Sequence, residues 1–485
     1  MPRLPLTSGA YQSRSLLAGA QRSVNLYPEQ APPDSQAPVP VTHFTTPGLT
    51  LLSTPPTVDV GRGAYRCGNG DLYVVIGATV YYVDAVWSFT AVGTIPFRIT
   101  PVSMSDNGLV LVIVDGTSSG YCVNLSTKVL GTITGAAFYG ADRVDYIDTY
   151  FVFNRPGTTQ FYISASNASY AQLTGGTAFD SLDIAGKTGQ SDTLVACAVV
   201  HRELWLIGAL SSEVWVNSGS ADFTFQVLPG AFVEHGCAAK YSIAVQDSTA
   251  FWLAQDRQGK GIVVKTEGYA ARRISTHAIE ADIQRYSRID DAIGGCYQID
   301  GHAFYVLTFP SADVTWCVEL QTGQWHQWAY SDNNGDLHRH RGMAWAFAYN
   351  TNVVLDWQNG QIYQLDGDTF TDAGNPIIRI RTFPHLIDDD NRVMYKSFTA
   401  DIQVGTLENS IATDPPQVSL RWSDDRGASY GSPVLQSLGA AGEYKTSIQW
   451  NRLGYARDRV FELSWSVPAR VSLNGAFIDT VSAKT

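Results

Sequence analysis

Pairs of strand-like runs recur between residues 61 and 375, and this recurrence constrains the fold more than any other feature of the chain. Each pair consists of two runs of β-branched and aromatic residues separated by a short polar turn. Successive pairs begin roughly 37 to 53 residues apart, close to the length of one β-propeller blade. The seven clearest pairs span residues 72–84, 109–125, 150–165, 203–218, 250–266, 302–320 and 352–366.

The repeat predicts a β-propeller of about six or seven blades over residues 61–375. The composition agrees, because 43 Gly, 24 Tyr, 20 Phe and 12 Trp stand against only 16% charged residues. Such a chain is rich in strand and turn formers and poor in the residues that cover helix surfaces. A propeller also protects the strand edges that so many separate hairpins would expose. We therefore predict an all-β fold.

One segment inside the predicted propeller has helical periodicity. Its apolar residues recur at helical spacing behind two hydroxyl residues that can act as N-caps. We predict one helix near residues 277–290, with Ile279, Ile283, Tyr286 and Ile289 on its apolar face behind Ser275 and Thr276. Packing against the propeller rim is the expected role of this helix.

Residues 1–60 are predicted to form an extended N-terminal arm. Residues 28–56 hold eight of the 21 prolines. Because proline fixes φ and lacks a backbone donor, neither a helix nor a central strand is expected there. The arm is interpreted in two ways, as an irregular lead-in to the first domain or as a segment that lies on a neighbouring subunit.

The C-terminal part of the chain, residues 376–485, has a different pattern. Six or so strand-like runs with good polar and apolar alternation occur within about 110 residues. This density predicts a separate β-sandwich-like domain.

The charge and the cysteines limit the function classes. The formal net charge of −12 argues against a protein that mainly grips phosphate backbones, but not against one that DNA slides past. The N-terminus has no signal-peptide core, and no run approaches a membrane-spanning helix, so a soluble protein is expected. Six scattered cysteines without metal-ligand spacing predict buried free thiols in a reducing compartment, namely Cys67, Cys122, Cys197, Cys237, Cys296 and Cys317.

The stretch WSDDRGASYG, residues 422–431, has the form of an Asp box. In such a turn the aspartate accepts nearby backbone NH groups, the glycine takes an unusual conformation and the last aromatic packs underneath. We predict a structural turn built by Ser423, Asp425, Gly427, Ser429 and Tyr430. One box without an arginine cluster or a tyrosine nucleophile does not indicate a sialidase.

The remaining motifs give no catalytic, cofactor or metal site. GTSSG, residues 116–120, lacks the strand-to-helix elbow that a hydrolase nucleophile needs, and SDNNGD, residues 331–336, lacks the later glutamate of a calcium loop. The basic run His338, Arg339, His340 and Arg341 is interpreted as an exposed turn or as a contact with DNA or a protein partner.

Several stretches together resemble the tail-hub or nozzle proteins of short-tailed bacteriophages, also called packaged-DNA stabilisation proteins. The motifs are spread from residue 22 to residue 479 and lie in the same order as in that family. They are RSVNLYPE (residues 22–29), TPGLTLL (46–52), ISTHAIE (274–280), GHAFYVLTFP (301–310), TGQWHQW (322–328), RGMAWAFAYNTNVVLDWQNGQIYQLD (341–366), LRWSDDRGASYG (420–431), GEYKTSIQWNRLGYARDRVFELSWS (442–466) and VSLNGAFID (471–479).

The resemblance implies a structural virion protein without enzyme activity. It implies a ring of copies, expected to be six, below the portal and its head-to-tail adaptor. The ring would extend the DNA exit channel, retain packaged DNA, and carry a plug or needle and tail fibres or spikes. Double-stranded DNA would pass through the lumen without sequence specificity. The protein would belong to the virion tail and be assembled in the cytoplasm of the bacterial host.

Two hypotheses and one alternative follow from this interpretation. The proline-rich arm would supply part of the contact between neighbouring copies. Lumen-facing loops would be acidic or neutral, because a basic wall would bind DNA and stall its ejection. The alternative is a carbohydrate-binding or carbohydrate-cleaving propeller, which the aromatic content and the Asp box suggest.

Overall fold

The structure is a computed structural model that describes residues 4–6, 11–32, 39–388, 391–403, 416–439 and 448–483. Over these residues the chain forms mainly antiparallel sheets and two short α-helices. Seven successive sheets build a β-propeller, and a two-sheet sandwich follows it. The all-β prediction of a propeller with a C-terminal sandwich-like domain is confirmed, and the propeller has seven blades.

Blades one to four are four-stranded sheets formed by consecutive strands. Blade one contains Gly61–Arg66, Leu72–Ile76, Thr79–Val83 and Phe89–Thr94, and blade two contains Ser103–Asp106, Val110–Val114, Gly120–Asn124 and Val129–Thr132. Blade three contains Val144–Ile147, Tyr150–Asn154, Gln160–Ile163 and Ile184–Gly186, and blade four contains Leu194–Val200, Glu203–Gly208, Ser212–Asn217 and Phe225–Val233. The predicted strand pairs are the two middle strands of each blade.

Blades five to seven complete the ring. Blade five contains Gly236–Cys237, Ala244–Gln246, Thr249–Gln255, Lys260–Glu267 and Ala270–Arg273. Blade six contains Ile293–Ile299, His302–Phe309, Val314–Glu319 and Trp325–Gln327, and blade seven contains Gly342–Ala348, Thr351–Asp356, Ile362–Asp366 and Gly48–Ser53. A hairpin of Ala329–Ser331 and Leu337–Arg339 lies between blades six and seven, and Thr371–Asp372 and Asn375–Pro376 extend blade seven.

The middle strands of a blade pack on two neighbouring blades, because successive side chains point to opposite faces of a sheet. In blade two, Val110 and Val112 pack against blade three, whereas Leu111 and Ile113 pack against blade one. Apolar clusters of this kind occur between every two successive blades, including blades seven and one. The aromatic and β-branched runs are therefore the packing between blades.

Five of the turns after the innermost strands have the geometry that favours tight hairpins. Both central residues have positive φ in 148–149, 201–202, 247–248, 300–301 and 349–350. Two positive φ values define a type I′ turn, whose twist matches that of the flanking strands. These turns let each innermost strand fold back at once onto the second strand of its blade.

The N-terminal segment closes the propeller, which corrects the prediction of an arm without a central strand. Gly48–Ser53 pairs with Ile362–Asp366 on one side and with Thr371–Asp372 on the other. Pairing on both sides is possible because the prolines at positions 47, 55 and 56 lie just outside this strand. We call Gly48–Ser53 the closing strand.

Earlier parts of the segment join the sandwich. Leu4–Pro5 pairs with Leu473–Ala483, and Leu26–Gln30 pairs with Val41–Thr45, which in turn bonds to the same C-terminal strand. Pro28 lies in the edge strand of this sheet, where a missing NH is tolerated. The described residues of the arm are thus paired within their own chain and form part of both domains.

Ser23–Val24 connects the two domains through one continuous sheet. It pairs in parallel with the last strand of blade six, at Gln327, and antiparallel with Arg379–Thr382 of the sandwich. The hydrogen-bonded ladder therefore runs from the propeller into the sandwich without a gap.

The predicted helix is present as His277–Arg285. Thr276 caps its N-terminus, with the side-chain oxygen accepting from the Ile279 NH group. The helix ends before the predicted bound at residue 290, because Tyr286 is already extended with ψ 137°. A second helix, Tyr170–Gly175, was not predicted, although Ser169 and Gln172 form a capping box at its start.

The sandwich has two sheets around one apolar core. One sheet contains Arg379–Thr382, Asp458–Trp465, Gln417–Ser423 and Val434–Ser437, with Leu386–Ile387 beside Asp458. The other contains Leu473–Ala483, Arg392–Ile402, Ile448–Asn451 and Tyr455–Ala456. Leu6 and Leu26 of the N-terminal segment are buried in this core beside Phe398 and Phe461.

Candidate assembly surfaces

Asn25 holds the N-terminal segment between the two domains. It is fully buried and has φ 55°, a left-handed conformation that asparagine tolerates better than most residues. Its side-chain amide nitrogen donates to the Ala329 carbonyl at 2.9 Å and to the Ile378 carbonyl at 2.8 Å, and its amide oxygen accepts from the Ala329 NH group at 2.9 Å. One side chain therefore ties the segment to the end of the propeller and to the start of the sandwich.

A buried arginine strengthens the junction of the propeller, the N-terminal segment and the sandwich, which we call the seam. The Arg379 guanidinium donates to the carbonyls of Val467 at 2.9 Å and Phe370 at 3.2 Å. Burial lowers the pKa of Arg379 to about 9, so the side chain still carries a charge at neutral pH. Carbonyl groups from both domains thus share one cation, which favours a fixed relation between them.

The predicted Asp-box residues form one turn between two strands of the sandwich. The Asp425 carboxylate accepts from the Ser429 NH group at 2.8 Å and from the hydroxyls of Ser423 and Ser429 at 2.6 and 2.5 Å. The Gly427 NH group donates to the Ser423 hydroxyl at 2.7 Å, and Gly427 itself has φ 91°. These bonds, first of all the one from Ser423, lower the pKa of Asp425 to about 2. The carboxylate therefore stabilises the turn.

The base of this turn rests on sandwich and N-terminal residues. Tyr430 is half-buried, and the Arg421 guanidinium lies over its ring at 4.8 Å from the centroid. Arg459 is buried beneath the turn and donates to both carboxylate oxygens of Asp424 at 2.6 and 2.8 Å. A Cβ atom on Gly427 would lie 3.1 Å from Ala20, so the turn packs directly against the N-terminal segment.

The four basic residues at positions 338–341 do not form one exposed cationic surface. His338 bonds the Asp313 carboxylate at 2.7 Å, and Arg341 donates to the Asp372 carboxylate at 2.7 Å. His340 is buried against the Trp328 ring at 3.8 Å, and burial lowers its pKa to about 3. Partner contact by this run stays a prediction. Among the described residues, Arg339 makes no ion pair within 4 Å, and its guanidinium lies over the Trp357 ring at 3.7 Å.

The end of the propeller that carries the tight turns is acidic. The last residues of the innermost strands and the turns that follow them carry five aspartates and two arginines. Ion pairs and hydrogen bonds link turns of adjacent blades, for example Arg202 with Asp148 at 2.6 Å and Gln298 with Asp247 at 2.6 Å. We call this surface the acidic end; its aspartates are Asp71, Asp106, Asp148, Asp247 and Asp300.

The six cysteines are free thiols, and all but the half-buried Cys296 are buried, which confirms that prediction. Within the described ranges, no group of three or more His, Cys, Asp or Glu side chains is placed to hold a metal ion. None of the described helices is long and apolar enough to cross a membrane.

Asn25 is the functional residue that the sequence reasoning missed. It lies in the motif RSVNLYPE, which contributed to the family resemblance, but no role was assigned to it. The local signal was weak, since an asparagine before an apolar residue is common in loops. Its bonding partners lie about 300 and 350 residues away in sequence, at positions 329 and 378.

The candidate side chains described above serve turns, ion pairs and the seam between domains, which is the pattern of a structural assembly subunit. Comparison with protein families agrees. The chain belongs to the bacteriophage P22 Gp10 family, whose β-propeller model matches residues 2–370 and whose β-sandwich model matches residues 379–481. It is thus a structural protein of the virion tail, of the nozzle and DNA-stabilisation class found in short-tailed phages, and it assembles with other virion components.

Two other comparisons add little. A search of curated proteins finds no match. One solved structure, described as "Crystal Structure of Mitotic Checkpoint Complex", has a chain that is 12% identical and aligns with a TM-score of 0.43. The alignment covers 75% of this chain and 100% of that one.

Proposed function

We propose that the chain is the subunit of a ring, expected to contain six copies, that forms the tail nozzle below the portal and head-to-tail adaptor. The ring extends the DNA exit channel, retains packaged DNA, and provides attachment points for a plug or needle and for tail fibres or spikes. Membership of the Gp10 family across both domains is the observation that supports this proposal.

The construction of the subunit suits this role. A ring around pressurised DNA needs subunits whose domains do not shift relative to one another. The continuous sheet through Ser23–Val24, together with Asn25 and Arg379, joins the domains by backbone and side-chain hydrogen bonds. A ring of identical copies requires heterologous contacts, in which one patch meets a different patch on the next copy. Each rigid subunit carries two domains that can supply those patches.

The charge distribution suits a channel that DNA slides through. The chain carries a formal charge of −12, and the acidic end carries five aspartates against two arginines. A wall of this kind avoids the counterion release that makes basic surfaces bind DNA tightly. We propose that loops facing the lumen are acidic or neutral, with the acidic end as the candidate. A continuous belt of Lys and Arg around the channel of an assembled ring would contradict this.

The free thiols fit synthesis and assembly in the cytoplasm of the bacterial host, where cysteines stay reduced. A carbohydrate-cleaving propeller has no specific support, because the Asp-box carboxylate is occupied by three hydrogen bonds within its turn and lies in the sandwich. We therefore propose a structural role without enzyme activity.

Measurement of the oligomeric mass of the purified chain, alone and mixed with its portal and adaptor complex, tests the proposal. We expect a ring that forms on the adaptor, with about six copies per complex by mass photometry. A chain that remains monomeric and does not bind the complex would contradict a nozzle role. Binding to bacterial surface glycans by such a monomer would favour the carbohydrate-binding alternative.

A further inference from the structure

Residues 12–20 form a short hairpin loop beside the sandwich, which we call the strap. Gln12 and Ala20 pair at its base as an isolated antiparallel bridge. Residues 14–18 are all exposed, and only Gly19 and Ala20 of the strap are buried. The strap therefore gains little free energy from apolar burial, and its position depends on the few polar contacts that it makes with the rest of the chain.

Among the residues that the structure describes, one hydrogen bond joins the strap to the rest of the chain. The Leu16 carbonyl lies 2.6 Å from the Nε2 atom of His385, in the segment between the sandwich strands Arg379–Thr382 and Leu386–Ile387. The other hydrogen bonds of the strap have both partners within it. We call the bond between His385 and Leu16 the latch.

The second nitrogen of the same ring also faces an acceptor. The Nδ1 atom of His385 lies 2.8 Å from a carboxylate oxygen of Asp458, and the two side chains are only 8% and 7% exposed. A backbone carbonyl and an ionised carboxylate can only accept hydrogen bonds, whereas a neutral imidazole has a single NH group to donate. Both bonds can therefore form together only when His385 is an imidazolium.

The charges around the ring determine which proton it loses first. The Asp458 carboxylate lies between His385 and Arg426, whose Nε atom is 3.1 Å from the second carboxylate oxygen, so Asp458 is held in its ionised form. The carboxylate holds the Nδ1 proton by a charge-assisted hydrogen bond, so a ring that becomes neutral gives up the Nε2 proton. The other charged or titratable groups on the elements around the ring are Arg14 on the strap, Asp388, Tyr395, and the mutually paired Asp424 and Arg459.

We propose that His385 is a proton-dependent switch that holds the strap against the sandwich as an imidazolium and releases it when the Nε2 proton is lost. After that loss, lone pairs of Nε2 and of the Leu16 carbonyl face each other at hydrogen-bond distance, and the latch opens. The latched state binds the proton more tightly than the released state does. Latching is therefore complete below about pH 6.5, where a solvated imidazole is half protonated, and is lost as the pH rises further. Each pH unit above this value shifts the equilibrium towards the released strap by up to about tenfold.

The switch determines whether two apolar side chains have a defined position. Leu16 is 41% exposed and Leu17 is 55% exposed at the tip of the strap. The latched strap holds this pair beside the sandwich, close to His385, whereas the released strap leaves it on a free loop. An apolar pair in a fixed position loses less conformational entropy on contact with another surface than a pair on a free loop does.

Nitroxide spin labelling of the full-length chain tests this inference. Ser15→Cys places the label on an exposed residue of the strap, Ser126→Cys places it on an exposed turn of blade two as a control, and Cys296→Ser removes the half-buried native thiol from both. Electron paramagnetic resonance then reports the mobility of the label. From about pH 5.5 to about pH 8.5, we expect the ratio of mobile to immobile strap label to rise at least about tenfold, and the control label to stay unchanged.

Three variants of the strap-labelled chain assign the proton. His385→Gln should leave the label mobile at every pH, because one amide group cannot donate to acceptors on both sides. Asp458→Asn should keep the label immobile at every pH, because its NH₂ group donates to Nδ1 of a neutral ring and leaves the Nε2 proton for the Leu16 carbonyl. His277→Gln, which removes a histidine that is 77% exposed on the helix, should keep the wild-type transition.

Equal mobility of the strap label at both ends of the pH range in the otherwise unchanged chain would overturn the proposal. A pH transition that persists in His385→Gln or in Asp458→Asn would overturn it as well, because the proton would then belong to another group. Loss of the transition in His277→Gln would assign the proton to that histidine instead.

Discussion

Replacement of Asn25 by alanine tests whether one side chain fastens the propeller to the sandwich. The substitution removes three buried hydrogen bonds and leaves the Ala329 NH group without its partner, which costs about 1–3 kcal/mol. The two carbonyl groups lose one donor each, and alanine at φ 55° adds about 1 kcal/mol of backbone strain. We expect Asn25→Ala to lower the free energy of unfolding by about 3–5 kcal/mol.

Two companion variants separate the hydrogen bonds from the strain. Glycine at position 25 accepts φ 55° without a Cβ penalty, so Asn25→Gly should be about 1 kcal/mol more stable than Asn25→Ala. Asn350 is exposed in a hairpin turn with φ 59° and makes no side-chain hydrogen bond in the described part of the chain. Asn350→Ala should therefore lose only the strain contribution of about 1 kcal/mol.

Urea unfolding followed by tryptophan fluorescence measures these differences, and limited proteolysis reports whether the domains separate before they unfold. In Asn25→Ala we expect an earlier transition and faster cleavage at the junction near residue 376 than in Asn350→Ala. If the two alanine variants have the same stability, the amide bonds of Asn25 do not fasten the domains. If Asn25→Gly restores wild-type stability, backbone strain accounts for the whole effect.

Two further predictions follow from the fold and from a buried carboxylate. Deletion of residues 1–53 removes the closing strand Gly48–Ser53, so the propeller of the shortened chain should no longer unfold cooperatively on heating. Circular dichroism measures this transition, and a normal melting curve would contradict closure by this strand. Burial raises the pKa of Asp356 to about 6 from 3.8, so the wild type should lose stability as the pH rises from about 4 to 6. Asp356→Asn should therefore be more stable than the wild type at pH 7 by about 1–3 kcal/mol and closer to it at pH 4, while Asp401→Asn, at an exposed site, should match the wild type at both values.

Local patterns predicted the propeller and sandwich strands well. The middle strands of the blades carry continuous β-branched and aromatic runs because both faces of each strand pack on another blade, as Val110 and Leu111 do. The strand Gln417–Ser423 was likewise readable from its alternation. In these elements the residues that determine the structure are neighbours in the chain.

Long-range pairing was not readable in the same way. The closing strand was dismissed because of nearby prolines, and its partner at 362–366 lies more than 300 residues away. The basic run at 338–341 suggested an exposed cationic patch, yet His340 is buried against Trp328, a contact that depends on how a hairpin folds onto blade six.

The position of the closing strand has a consequence for biosynthesis. Gly48–Ser53 leaves the ribosome early, but its partner Ile362–Asp366 is translated about 300 residues later. At a bacterial rate near 5–20 residues per second, the N-terminal segment waits at least about 15 seconds with its backbone donors and acceptors unpaired. The blades in between can form one after another during this time, but the circle closes only when nearly the whole chain has been made. Premature termination should therefore yield open, aggregation-prone fragments, and chaperone capture of nascent chains is expected to act on that early segment.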